Sequence, residues 1–292
     1  MIIVRLLGGL GNQMFQYATG RALALRRGTV LKLDLSAFAA YPLRSYRLDH
    51  FRIDATLADT AEVARVTGRN LRGLRARIHG AVERRRPYYR RGMVRERRFG
   101  YDPKLSGVRG DAYLVGFWQS ERYFDDIRDR LVAELTVSTP PEGDNRRLLD
   151  AIEATDSISL HVRRGDYVED PANLRLHGTC PPAYYERALA ALLPRADRPH
   201  VFVFSDDIGW AKEHLRIPCP ATFVAHNGEE RDYEDLRLMS RCRHHVIANS
   251  TFSWWGAWLS THPDRTVVAP REWFRDGSLD ARDVVPDSWL RV

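Results

Sequence analysis

Beyond residue 156 the chain alternates strand-like and helix-like segments with a regularity that few folds accommodate. Strand patterns fall at 157–162, 200–204, 221–225, 244–248 and 266–269, and helical patterns at 181–193, 208–215, 232–241 and 252–260. Strands alternating with helices of that length imply parallel crossovers, hence a doubly wound α/β sheet. The chain opens in the same way. Ile2–Leu7 is apolar, Gly8-Gly9-Leu10-Gly11 is a turn, and Asn12–Arg26 carries apolar residues at helical spacing before a short strand at Val30–Leu33. That is a β-α-β unit. Tyr113–Phe117 is expected as a further strand and Asp126–Leu135 as a helix. Thr136–Asp144, polar with two prolines and a glycine, is the best linker. It divides the chain into a Rossmann-like domain over 1–140 and a second over 141–292.

The formal charge of +7 invites a nucleic-acid reading until the charge is located. Residues 65–98 hold 13 Arg against Glu83 and Glu96, a local +11, which leaves the other 258 residues near −4. The stretch 58–98 is expected to be helical, with Leu71, Leu74, Ile78 and Val82 at three- and four-residue intervals. An amphipathic basic helix of this kind suits contact with anionic lipid; a solvated arginine face is the plain alternative. Duplex binding is not expected of the chain as a whole. Cys180, Cys219 and Cys242 form no CxxC pair, which argues for a reducing compartment without a zinc ribbon. No run of 18 apolar residues occurs, and the apolar start is too short for a signal peptide. A cytoplasmic protein, with peripheral contact at the inner membrane face through 65–98 as an option, is the expectation.

Ligands of open parallel sheets sit at the carboxyl ends of the strands, and four blocks lie there. Gly8–Met14 places backbone N–H groups at a helix start, but Met14 stands where GxGxxG needs its third glycine. A tight turn with Asn12 as the cap is the alternative, and Asp34 could mimic the ribose ligand of a nicotinamide enzyme. The second block is His161-Val-Arg163-Arg164-Gly-Asp166-Tyr167, in which His161 and Arg163 share one side of the strand. Arginine forks at a strand end suit a multiply charged anion such as a diphosphate; an Arg–Asp structural pair is the competing reading. Phe204-Ser205-Asp206-Asp207 offers a carboxylate for a base or sugar, or else a helix cap. Asn249-Ser250-Thr251-Phe252 opens a helix whose N–H groups and hydroxyls form a further anion site. The tryptophans behind it, Trp254, Trp255 and Trp258, fit core better than ligand platform. His244-His245 fits strand packing better than a metal pair, and the Asn249 sequon is read as chance. There is no Walker lysine loop, HExxH, GxSxG or literal D-x-D, so arginines and helix ends must carry any diphosphate charge.

Taken together, the run from Gly8 to Ala18, HVRRGDY at 161–167, FSDD at 204–207 and ANSTFSWWGAWL at 248–259 resemble the α-1,2-fucosyltransferase family of bacteria and animals. All four blocks occur in order across nearly the whole chain, whereas residues 40–100 are not diagnostic. The resemblance implies a GT-B-like architecture, two Rossmann-like domains with parallel sheets facing a cleft, the first on the acceptor side and the second binding GDP-fucose. It implies GDP-β-L-fucose as co-substrate, inversion at the anomeric carbon, and neither metal nor cofactor. It places Arg163 on the β-phosphate, His161 in the nucleotide pocket and Asp206, with Ser205 and Asp207 beside it, at the guanosine. Ser250, Thr251 and Phe252 would close on the pyrophosphate, and Asn12 would reach donor or acceptor. Arg163, Asp166 and His161 are the candidate catalytic set; the RGD turn places Asp166 near the arginines and makes it the first choice of proton acceptor ahead of His161, with a structural pair to Arg164 the equal alternative. The acceptor expected is a galactose-containing glycan, taken at its 2-hydroxyl, with a lipid-linked form among the options. The runner-up is transfer from another deoxysugar nucleotide, and a nicotinamide oxidoreductase is the remote one.

Overall fold

A computed structural model describes residues 1–40, 44–277 and 279–292, together with every side chain in those ranges except that of Asp166. The chain forms two compact units, Met1–Leu135 and Thr136–Val292. In the first, β1 (Ile2–Arg5), α1 (Leu10–Arg26) and β2 (Leu31–Asp34) are followed by α2 (Ser36–Ala40), β3 (Thr56–Leu57), α3 (Thr60–Thr67) and α4 (Gly73–Arg85). β4 (Met93–Arg95), β5 (Ala112–Val115) and α5 (Arg128–Glu134) complete it. Its sheet has the order β3-β2-β1-β5-β4 with every pairing parallel.

The second unit comprises α6 (Gly143–Glu153), β6 (Asp156–Val162), α7 (Gly165–Glu169), α8 (Pro171–Leu176) and α9 (Pro182–Leu192). It continues through β7 (Pro199–Ser205), α10 (Ile208–His214), β8 (Ala221–Val224), α11 (Asp232–Arg241) and β9 (His244–Val246). α12 (Thr251–Trp258), β10 (Val267–Ala269) and β11 (Leu290–Arg291) close the chain. The sheet order is β11-β10-β9-β6-β7-β8, again all parallel. Both units are therefore the parallel α/β layers expected of a GT-B-like chain.

Packing explains why these segments and not others become elements. Residues Ile158, Leu160 and Val162 of β6 point to one face and bury against Tyr184, Tyr185, Leu189 and Leu192 of α9. Alternation sends Ser157, Ser159 and His161 to the other face, where they too are buried. In the first unit α1 is covered nearly all round, from Leu10 to Ala24 apart from Asn12, so it shows no polar face. Gly20 lets α1 close on the sheet: a Cβ there would meet Val4 and Leu31. Arginine, glutamate and tyrosine buried by that close packing pair with one another. Arg21 Nε and Nη2 donate to Glu134 of α5, at 3.0 and 2.7 Å, and the Asp54 N–H donates to the Tyr17 hydroxyl at 3.0 Å.

Several boundaries differ from the sequence reading. α1 begins at Leu10, with Gly9 as its N-cap in extended conformation, so Asn12 sits inside the first turn and is not the cap. The segment 58–98 is not one helical stretch. α3, stopped by Gly68 at φ +74°, is followed by α4 and then by edge strand β4, whose Val94 is buried beside β5. Arginine on an exposed edge is compatible with a strand, and helical periodicity in Leu71–Val82 masked it. Strand β5 runs Ala112–Val115, two residues shorter at its carboxyl end than Tyr113–Phe117. α6 starts at Gly143, within the stretch read as linker, and was not anticipated. Among the described residues no helix is long and apolar enough to cross a membrane.

Candidate active site

Three of the four sequence blocks lie on neighbouring strands of the second sheet. In the register of β6 with β7, His161 pairs with Phe204 and Val162 with Ser205; on the other side Leu160 pairs with Val246. Parallel pairing in this register brings the ends of β6, β7 and β9 level. Everything that follows each strand is thus delivered to the same edge of the sheet.

At that edge the two arginines and two aspartates interlock. Arg163 Nη1 lies 2.9 Å from Asp206 Oδ2, and the Arg164 N–H donates to the other oxygen of the same carboxylate at 2.9 Å. Arg164 turns the opposite way: its Nε donates to Asp207 Oδ2 at 3.3 Å and its guanidinium lies 4.1 Å from the centre of the Trp210 ring. Asp207 also caps α10, accepting from the Trp210 N–H at 3.0 Å, while the Ser205 hydroxyl accepts from the Asp207 N–H at 2.9 Å. Two sequence alternatives therefore coexist. The pairs are structural, and they fix the guanidinium of Arg163, about a quarter exposed, at the carboxyl edge of the sheet. Gly165 leaves room for this carboxylate, since a Cβ would stand 2.6 Å from Asp206 Oδ2 and push it aside.

The block after β9 is tied to the block after β6 by Tyr167. Its ring stacks on His177 at 4.5 Å, faces the Arg163 guanidinium at 5.5 Å, and its hydroxyl donates to the Asn249 carbonyl at 3.2 Å. Asn249 is buried and donates from its amide to His177 and Trp273 carbonyls at 2.8 and 3.3 Å. Its amide is thus committed to the fold and not presented as a glycan acceptor. Ser250 caps α12, its hydroxyl accepting from the Phe252 N–H at 3.3 Å. Phe252 leans on the His161 ring, with centroids 5.6 Å apart. Thr251 and Phe252 are half-buried, at the positive end of the helix.

His161 is buried, and with desolvation first and the Arg163 charge second its pKa falls to about 3. A neutral imidazole with so low a pKa is a poor acceptor for an alcohol proton. Its Nδ1 is enclosed without a hydrogen-bond partner, as befits a wall of a binding pocket more than a proton carrier. Asp166 belongs to α7, but its side chain lies outside the described residues.

The remaining candidates resolve more simply. Asn12 lies in the first unit, half-buried, with Oδ1 accepting from Gln119 Nε2 at 2.9 Å. The neighbouring glutamines are structural: Gln13 donates to Gly8 and Ser45 carbonyls, and Gln16 accepts from the Leu7 N–H. Asp34 is buried and its carboxylate accepts from the Tyr113 hydroxyl at 2.6 Å and from both Ser36 donors. It is thereby occupied, which removes the ribose ligand of a nicotinamide enzyme. The tryptophans of α12 are core, Trp254 donating to the Val284 carbonyl at 2.7 Å. His245 is hydrogen-bonded to Ser159 at 2.9 Å, and His244 Nδ1 accepts from the Thr266 N–H. Among the described residues no group of three or more His, Cys, Asp or Glu side chains is placed to hold a metal ion.

Sequence reasoning missed Trp210 and the bridging role of Tyr167. Tyr167 ends the HVRRGDY run, but nothing local distinguishes a bridge from a core aromatic. Trp210 follows Asp207 by three residues, one helical turn, and that spacing was the available signal.

Comparison with known proteins identifies the family. The model of Glycosyl transferase family 11 matches residues 101–291. An Escherichia coli protein named alpha-1,2-colitosyltransferase is 35% identical, the alignment covering 100% of this chain and 99% of that protein. The O-antigen biosynthesis glycosyltransferase WbnK of Escherichia coli is 32% identical over 98% of both chains. Galactoside alpha-(1,2)-fucosyltransferase 2 of Sus scrofa is 26% identical, over 89% of this chain and 70% of that one. Among solved structures, Arabidopsis thaliana FUT1 in complex with GDP superposes with a TM-score of 0.53 at 13% identity, covering 93% and 71%, a likeness of fold.

Proposed function

Since the chain belongs to glycosyl transferase family 11, we propose that it moves L-fucose from GDP-β-L-fucose to the 2-hydroxyl of a galactoside, with inversion and without a metal ion. The observation that carries the reading is the convergence of Arg163, braced by Asp206 and Tyr167, and the start of α12 at one edge of a parallel sheet. A diphosphate leaving group gains charge as the glycosidic bond breaks. Fixed donors aimed at that charge lower the barrier because they need no rearrangement. In this mechanism Arg163 and the α12 N-terminus hold the departing GDP, His161 and Phe252 wall the nucleotide, and Ser205 and Asp206 lie beside it. The acceptor hydroxyl attacks the opposite face of the sugar and passes its proton to a carboxylate, with Asp166 as the candidate.

A second reading is favoured by the relative named a colitosyltransferase. Colitose lacks one ring hydroxyl of fucose, and a diphosphate clamp does not read the ring. The test is a competition: purified protein, a β-galactoside panel, and GDP-fucose against GDP-colitose, with linkage analysis of the product. A pocket that hydrogen-bonds the extra hydroxyl rejects the deoxy donor by about 10⁴-fold, whereas an apolar pocket discriminates about a hundredfold or less. Fucose α-1,2-linked to galactose is expected, with turnover unchanged by EDTA. Faster colitose transfer transfers the assignment to the second reading, and activity lost to EDTA and restored by manganese rejects metal independence.

A further inference from the structure

Helix α4 turns the wrong face outward. A surface helix normally buries its apolar stripe and exposes its polar one. In α4 no residue is buried, and Leu74, Ile78 and Val82 are exposed to 70%, 56% and 42%. Spaced by four, the three fall within about 80° of arc. The side toward the protein is instead made of Ala76, His79, Gly80 and Glu83, all half-buried. His79 packs over Gly68, and Glu83 accepts from the Gly92 N–H at 2.7 Å. The helix is therefore anchored by its small and polar residues and displays its large apolar ones.

Arginines flank that displayed ridge. Arg75 and Arg77 are exposed on its two sides and Arg85 within its own arc, and among the described residues no carboxylate pairs with them. A second copy of the chain docking on this face would bring two such arginine rows together, which like-charge repulsion opposes. Nucleic acid would satisfy the arginines and leave the aliphatic ridge in water. An anionic bilayer satisfies both, taking the aliphatic side chains at the boundary of headgroups and acyl chains and the guanidinium groups on lipid phosphates. We propose that α4 is a membrane-surface helix, holding the protein on anionic lipid through Leu74, Ile78 and Val82 with Arg75, Arg77 and Arg85 on the phosphates.

The experiment is co-sedimentation of the full chain with vesicles of phosphatidylcholine containing about one-third phosphatidylglycerol, a strongly anionic surface of the kind that attracts basic segments. Phosphatidylcholine vesicles are the control. Binding to the anionic vesicles alone, weakening as salt rises, is expected. The triple variant Leu74→Ser, Ile78→Ser, Val82→Ser should lower partitioning by more than about tenfold. Arg75→Glu, Arg77→Glu, Arg85→Glu should lower it by at least about fivefold per position. All six positions are exposed, and unchanged thermal unfolding confirms that the variants fold. The proposal is overturned by absence of sedimentation at low salt. It is also overturned if the serine variant partitions like the parent, or if the parent is a dimer in the ultracentrifuge and that variant a monomer.

Discussion

Arg163 and its neighbours show how one side chain is aimed. A guanidinium at a strand end has many rotamers, and here Asp206 and the face of Tyr167 reduce them. Arg163→Ala should lower kcat by a hundredfold or more, equivalent to about 2.7–4 kcal/mol for a transition-state donor. Retention of more than about a tenth of the activity would remove Arg163 from the leaving-group site. The variant should still unfold cooperatively, because Asp206 keeps its hydrogen bond from the Arg164 N–H when Arg163 is removed. Gly165→Ala tests the aim without touching the charge. Its Cβ would collide with Asp206 Oδ2, and displacing that carboxylate releases Arg163 and the Arg164 N–H together. A kcat loss with an unchanged far-UV spectrum is expected; wild-type kcat would show that the Asp206 brace is dispensable. The placement of HVRRGDY and FSDD at strand ends was legible in the sequence, which left ion pair, helix cap and anion site open as their uses. That Asp206 grips Arg163, while Asp207 takes Arg164, was not legible. It depends on the register of two strands whose paired residues are about forty positions apart.

At the scale of elements, α1 and α4 are opposite cases. α1 reads as a helix from its spacing, yet its all-round burial follows from what closes over it, including α5 and the Arg21–Glu134 contact. Gly20 is the point of nearest approach to the sheet, and Gly20→Val should destabilise the first unit by about 1–3 kcal/mol through overpacking. Denaturant unfolding checks this, and an unshifted midpoint would mean that the sheet yields at Val4 and Leu31 without cost. The apolar spacing of α4 was also visible in sequence. Which way that stripe faces was not, because a hydrophobic pattern shows that one face differs from the other and tertiary packing decides which is inward. Edge strand β4 was lost for a related reason: three residues carry too little periodicity to outweigh the helical pattern before them.

Over the whole molecule, burial of imidazoles sets a pH dependence. His161 and His245 fall to about 3, and His244 to about 4, with desolvation the leading cause in each. All three lie in the second unit. Below the ordinary value of 6.5 the unfolded chain binds protons that the folded unit does not, so stability rises with pH across this window and is lost on acidification. Each fully titrating histidine contributes a slope of about 1.4 kcal/mol per pH unit. Urea midpoints measured between neutrality and mild acid should therefore fall, and His245→Asn should flatten the fall. An unchanged slope in that variant would place the proton uptake elsewhere.

The sequence by itself determined the parallel α/β class, a polar stretch at 136–144 between two patterned halves, and the positions of the arginine and aspartate blocks. These are properties of local spacing and of chemistry confined to a few consecutive residues. Only the tertiary structure decided that three of those blocks share one sheet edge, that Asp34 is consumed by Tyr113 and Ser36, and that the ridge of α4 faces water. Those facts depend on register and burial, which arise between segments distant in the chain.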